Sequence, residues 1–208
     1  MLEYLLREPP DLLGFVLVAV VLVIALTLHE FAHAAAGTWQ GDPTARLAGR
    51  LTLNPLAHLD LVGSIMLILI GFGFGKPVPF TPSKLRNRRF GSAFVAAAGP
   101  ATNILLAILS AFGLGLLTSP SSNLAGRFLQ VSLYLNVLLA IFNLIPIPPL
   151  DGSRILSAAL PPSRQHIMYF LDQWSFPLLI LVAFVLFRLP IFGRLISFVI
   201  GVIFRLAT

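Results

Sequence analysis

Residues 12–37 read LLGFVLVAVVLVIALTLHEFAHAAAG. From Leu12 to Leu28 only Gly14 and Thr27 interrupt the apolar run, and small or apolar residues carry it on to Gly37. At about 1.5 Å per residue, that length exceeds the roughly 30 Å of a bilayer's hydrocarbon core. The stretch therefore reads as a membrane-spanning helix. Its inner end holds His29, Glu30 and His33. Each ionisable side chain at such a depth costs about 2.5–3.5 kcal/mol on insertion scales, so three of them together require a reason.

The rest of the chain has the same character. Its 208 residues are 57% hydrophobic and 11% charged, whereas ordinary globular domains are about 45–50% apolar and about 25% charged. The excess lies in several long runs, which excludes a disordered chain and a lone anchor on a soluble domain. The net charge of +6 marks cytoplasmic loops better than a nucleic-acid surface, because the segment from Lys84 to Arg89 is short and carries no interleaved aromatic pattern. With no cysteine, a metal must rest on His, Asp and Glu. Glu3, Glu8 and Asp11 precede the first run without a small-residue cleavage pattern, so that run is expected to stay as a helix rather than leave as a signal peptide.

Along the chain, residues 39–60 turn polar around Asp42-Pro43 and Asn54-Pro55. Residues 61–75 are apolar but short, as expected for a short helix followed by a re-entrant segment. Further spans are predicted at about 90–117, 128–145, 167–187 and 191–204, with a short helix after Asp151. The prediction is an all-α integral membrane protein, a polytopic helical bundle of about five to six transmembrane segments. It forms a single domain over 1–208, with a core at about 12–160 and C-terminal helices at about 166–206. If the loop from Trp39 to Arg89 is cytoplasmic and residues 61–75 do not cross, ten Lys and Arg collect on that side and four on the other, in agreement with the positive-inside rule.

On a helix, His29 and His33 stand one turn apart on one face, so two imidazole nitrogens can converge on one Zn²⁺. Glu30 is offset by about 100° and can reach a water there. This is the H-E-x-x-H pattern of zinc metalloproteases, in which the Glu is general base rather than ligand. The bland alternative is a polar network that glues helices together. Catalytic zinc takes three protein ligands, and the candidates for the third are Asp42, His58, Asp60, Asp151, His166 and Asp172. Asp151 is best placed: it follows a buried span and a Pro-rich run from Pro146 to Pro149, and Gly152 allows close backbone approach.

The His29–His33 motif in a membrane helix, taken with Phe142 to Gly152 (FNLIPIPPLDG), resembles the site-2 protease family of intramembrane zinc metalloproteases, peptidase family M50. Residues 51–60, 75–79 and 98–103 are similar as well. The resemblance implies one zinc ion per chain held by His29, His33 and Asp151, with Glu30 as catalytic base. It implies that Asn143 binds the substrate backbone or stabilises the oxyanion, an ordinary interhelical hydrogen bond being the other reading. Asn103 stands between a packing and a site-supporting or substrate-binding role. Gly71-Phe72-Gly73-Phe74-Gly75 looks like the family's membrane-associated β-hairpin, whose edge, with Gly73, Phe74 and Gly75, would pair with an unwound substrate; glycine-mediated helix packing is the alternative. His58 and Asp60 read as structural and His166 as a helix-end residue. The chain resembles a minimal member without PDZ or CBS domains.

The implied activity is hydrolysis of peptide bonds in transmembrane protein substrates, in the plasma membrane of a prokaryote, with the site open to the cytoplasm. The implied partners are a transmembrane protein substrate and the lipid bilayer, with no nucleic acid. A membrane protease of the prenyl-protein processing type would need a downstream Glu as third ligand, and Glu30 is the last glutamate in the chain. A non-catalytic transporter or metal carrier using the same polar residues is the alternative of a different class.

Overall fold

A computed structural model describes residues 11–70, 73, 75–87, 89–120 and 123–207. All regular structure among them is helical: α1 (Leu12–Trp39), α2 (Thr44–Leu47), α3 (Leu61–Ile70), α4 (Phe90–Gly115), α5 (Leu124–Asn143), α6 (Asp151–Ala159), α7 (Gln165–Gln173), α8 (Ser175–Arg188) and α9 (Pro190–Ala207), with short 3₁₀ turns in the loops.

Helix α1 starts where the Asp11 carboxylate accepts the Gly14 amide at 2.8 Å, satisfying one of the donors that every helix N-terminus leaves over. It stops at Gly41, whose φ of +98° an L side chain would resist. Along α1, Leu17, Val21, Ala25, His29 and His33 face inward, while Leu13, Val16, Val20 and Ile24 are exposed. Both faces are apolar along most of the helix, so the medium outside must be apolar too.

Helix α4 is the hub and packs against α1, α5, α6 and α9. Its contact positions are small, with Ala107 and Ala111 fully buried against Leu133 and Val137 of α5 and Ile196 of α9. Small residues let backbones approach closely, which is how helices associate in lipid. Pro100 lies inside α4 without ending it.

Among the described residues, four helices, α1, α4, α5 and α9, are long and apolar enough to cross a membrane, and α7 with α8 makes a fifth if that bent pair counts as one span. The count is thus four, or five at most, against the expected five to six. Helix α3, ten residues long, would reach only about 15 Å. The span expected at 167–187 is broken by 81° between α7 and α8. Pro177 accounts for the break: it is tolerated in the first turn of α8, but its ring would clash with the Gln173 carbonyl in a continuous helix. The expected β-hairpin is represented among the described residues by a single antiparallel bridge between Leu59 and Gly75. Gly71, Phe72 and Phe74 lie outside the described residues.

Candidate metal centre

The two histidines of α1 face a single stripe of α4, formed by Val95, Gly99 and Asn103 at four-residue intervals. At one end of this stripe the Val95 carbonyl accepts from His33 Nδ1 at 2.7 Å. At the other, Asn103 Oδ1 lies 2.6 Å from His29 Nδ1. Between them sits Gly99, where an added Cβ would fall 2.5 Å from the Nε2 atoms of both rings. The imidazoles are held nearly perpendicular at 87°, with their Nε2 atoms 3.0 Å apart.

Asp151 arrives from the opposite side, as the first residue of α6. The chain leaves α5 at Asn143 and cannot continue as helix through Pro146, Pro148 and Pro149. It turns and restarts at Asp151, whose negative charge suits a helix N-terminus. Gly152 makes this turn tight: a Cβ there would lie 2.2 Å from the Leu144 carbonyl oxygen. The other end of α6 is fastened by Arg89, which donates to the carbonyls of Ala158 and Leu160. Asp151 Oδ2 thereby comes to 3.2 Å from His29 Nε2 and 3.3 Å from His33 Nε2.

These three atoms fit a metal ion, lying within 4.8 Å of one another. With Nδ1 donating to oxygen in each ring, the neutral imidazoles present their Nε2 lone pairs to the cluster, the state in which histidine ligates metal. Asp151 Oδ2 is buried and makes no hydrogen bond. Three electron-rich atoms at such distances repel unless a cation is shared among them. Two imidazoles and a carboxylate make up the three-ligand protein set of catalytic zinc sites.

The cluster opens into a cavity of about 830 Å³, within the usual size range for ligand pockets. It follows α1 from Val18 to His33, between Leu22 and Leu26 on one side and Leu135 and Leu139 of α5 on the other, with Phe176 and Leu179 of α8 completing it. Glu30, Asn143, Gly73 and Gly75 also line it. Gly75 backs onto Glu30, since a Cβ there would meet Glu30 Oε1 at 3.9 Å. Its segment is anchored from behind: Lys76 N–H donates to the His58 carbonyl at 2.8 Å, and Arg50 donates to the carbonyls of Lys76 and Pro77. Asn143 Nδ2 donates back to the Leu139 carbonyl at 3.0 Å.

Of the other expected site residues, Asn103 is fully buried and is absent from the cavity lining; its Oδ1 faces the His29 ring. Phe74 lies outside the described residues. Among the remaining candidates for the third ligand, His58 Nε2 bonds the Thr52 carbonyl, Asp60 caps α3 through the Gly63 amide, and His166 bonds the Ser163 carbonyl at the start of α7. Asp42 is spent on the Thr44 hydroxyl and the amides of Thr44 and Thr81. Burial alone would raise its pKa, but these hydrogen bonds outweigh burial and leave the carboxyl below its ordinary value. Asp172 does not join the cluster. Sequence reading missed Val95 and Gly99, because a backbone carbonyl and an absent side chain leave no chemical signature.

Apolar helices long enough to span a membrane, around a His-His-Asp set that could hold a metal ion, define the class, a multi-pass membrane protein. The family model described as "Peptidase family M50" matches residues 118–187, the segment containing Asn143 and Asp151. Over 198 residues the chain is 35% identical to the Bacillus subtilis protein named "Putative zinc metalloprotease YwhC", covering 91% of this chain and 87% of that one. Rip2 of Mycolicibacterium smegmatis, named in the same form, is 33% identical over 188 residues, with 86% of this chain and 70% of Rip2 covered. A 64-residue stretch is 44% identical to MJ0611 of Methanocaldococcus jannaschii, also so named, covering 30% of this chain and 31% of that one. No solved structure matches the chain. The chain belongs to peptidase family M50, the site-2 protease family.

Proposed function

We propose that this protein is an intramembrane zinc endopeptidase that hydrolyses peptide bonds of transmembrane protein substrates. One zinc ion is held by His29, His33 and Asp151, and Glu30 is the general base. The observation that carries the reading is the convergence of three atoms of metal-ligating type at the end of an apolar cavity that runs along a membrane helix and also contains Glu30. The zinc metalloprotease names of the relatives agree with the metal.

When bound, zinc supplies Lewis acidity, lowering the pKa of water toward about 7 and polarising a carbonyl. Glu30 takes the proton from the water that attacks the scissile carbonyl and returns it to the leaving amine. Asn143, on the cavity wall, offers its amide to the substrate backbone or the developing oxyanion. A helical substrate hides its peptide bonds, so it must be held extended. Gly75, facing Glu30 and anchored through the next residue, Lys76, and Gly73 on the cavity wall offer backbone for an unwound strand to pair with.

The site opens toward the cytoplasmic face of the plasma membrane in the orientation that agrees with the positive-inside rule, with ten basic residues on that side and four on the other. The test is Glu30→Gln in the full chain: zinc content stays at one per chain and cleavage of a single-span model substrate is lost. Comparison of membrane proteomes with wild type and Glu30→Gln then identifies the natural substrate from fragments specific to the wild type. Continued cleavage by purified Glu30→Gln would remove Glu30 as the base, and zinc lost together with activity would place it among the ligands.

A further inference from the structure

We propose that Asn136, on α5 and away from the ligand cluster, is a positioning residue that sets, through Asn103, which ring nitrogen of His29 carries the proton and so keeps Nε2 available to the metal. This rests on the reading of His29 as a zinc ligand.

The polar groups form a chain with one permitted sense. It starts at the Ser132 backbone carbonyl, which can only accept. Asn136 approaches that oxygen at 2.9 Å, so its NH₂ group must face Ser132 and its Oδ1 must face the other way. Asn103 lies 2.9 Å from that Oδ1, so the Asn103 NH₂ is committed there and the Asn103 oxygen points at His29 Nδ1, 2.6 Å away. An amide oxygen cannot donate, so Nδ1 of His29 holds a proton, and in the neutral ring that ligates metal, Nε2 holds the lone pair. Ser132 Oγ, 3.3 Å from Asn136 Nδ2 and 2.8 Å from Ser110 Oγ, reinforces the anchored end.

The two asparagines lie in the protein interior, Asn103 0% and Asn136 2% exposed, with the Ser132 anchor half-buried, so water does not reach the amides to reverse the sense. Helix adhesion alone would need two asparagines in contact, but not a chain that ends on a ligand's second nitrogen. Groups that orient a ligating histidine in this way are typically worth about 10–100-fold in metal affinity.

The experiment measures zinc affinity of the purified full chain in detergent by chelator competition, with thermal melting alongside. Asn136→Leu removes the acceptor, frees Asn103 to turn over, and weakens zinc binding by about tenfold or more. Asn136→Asp keeps an oxygen toward Asn103, so zinc affinity stays close to wild type although burying a carboxyl lowers the melting temperature. A purely structural role predicts the reverse ranking, with Asn136→Asp the worse of the two in both measurements. Wild-type affinity in Asn136→Leu, while His29→Ala loses zinc, would overturn the proposal and leave the zinc site standing. Retained affinity in His29→Ala would instead overturn the zinc-ligand reading. Independently of any folding defect in Asn136→Leu, nitrogen NMR of labelled histidine in the zinc-free wild type reads the state of the ring: a protonated Nδ1 on His29 is expected, and an unprotonated Nδ1 would refute the relay.

Discussion

Gly99→Ala is a single methyl aimed at two proposed ligands. The added Cβ would lie 2.5 Å from His29 Nε2, 2.5 Å from His33 Nε2 and 2.6 Å from His29 Cε1, about 1 Å inside the separation at which carbon and nitrogen normally meet. The clashing atoms are the far ends of side chains, so the fold can give way by moving the rings. Overpacking of this kind costs about 1–3 kcal/mol, and alanine returns about 0.8–1.0 kcal/mol over glycine within a helix. The net loss of stability is then about 0–2 kcal/mol, which leaves the bundle folded. For the metal the balance is different, because ligand distances hold to about ±0.2 Å, and displacing two nitrogens by several times that tolerance destroys the site. The assay compares helicity by circular dichroism with zinc per chain and cleavage of a single-span substrate. The expected result is wild-type helicity with zinc and cleavage both lost. A variant carrying one zinc and cleaving at the wild-type rate would refute the argument that α4 is the floor of the ligand cluster.

Asp151→Ala removes the proposed third ligand and should weaken zinc binding, measured by chelator competition, by more than the about 10–100-fold that a supporting residue contributes; unchanged affinity would exclude Asp151 from the set. Asp42 has a depressed pKa in the folded chain, so its contribution to stability is fully present above its ordinary value of 3.8 and drains away as pH falls through the lower folded value. Pepsin nicking between Asp42 and Arg50 should therefore rise on acidification in wild type and not in Asp42→Asn, and identical pH profiles would refute the linkage. Pro177→Ala restores an amide and removes the clash at Gln173, so α7 and α8 should straighten. Spin labels at Tyr169 and Ala183 should then separate from about 16 Å to about 21 Å, estimated from the helical rise and the 81° bend. An unchanged distance would assign the bend to packing rather than to proline.

What could be read from the chain before folding follows from the cost of polarity in lipid. Asp151, His29, Glu30 and His33 stand out in sequence because a charged or imidazole group in an apolar context needs a partner, and the fold brings the histidines and the aspartate within reach of each other. The main spans were legible for the same reason, since hydropathy reports directly on the medium. The broken span was not, because the decisive feature is one proline at the third position of α8, and hydropathy averages over it. The floor of the site was also hidden: Gly99 acts by having no side chain, and Val95 through a carbonyl that every residue possesses.

Asn136 shows the limit most clearly. By the cost argument that exposed His29 and Glu30, a fully buried asparagine in a spanning helix should also demand a partner. Its signal was weaker because an amide is cheaper to bury than a charge and can satisfy itself on its own helix, as its bond to the Ser132 carbonyl shows. Only the fold reveals that this local bond leaves the amide oxygen with one direction to face, and that Asn103 and His29 lie along it. In a bilayer, a polar group that looks self-sufficient in sequence can still orient a distant ligand, because with no water nearby a hydrogen bond at one end of an amide dictates what its other end can do.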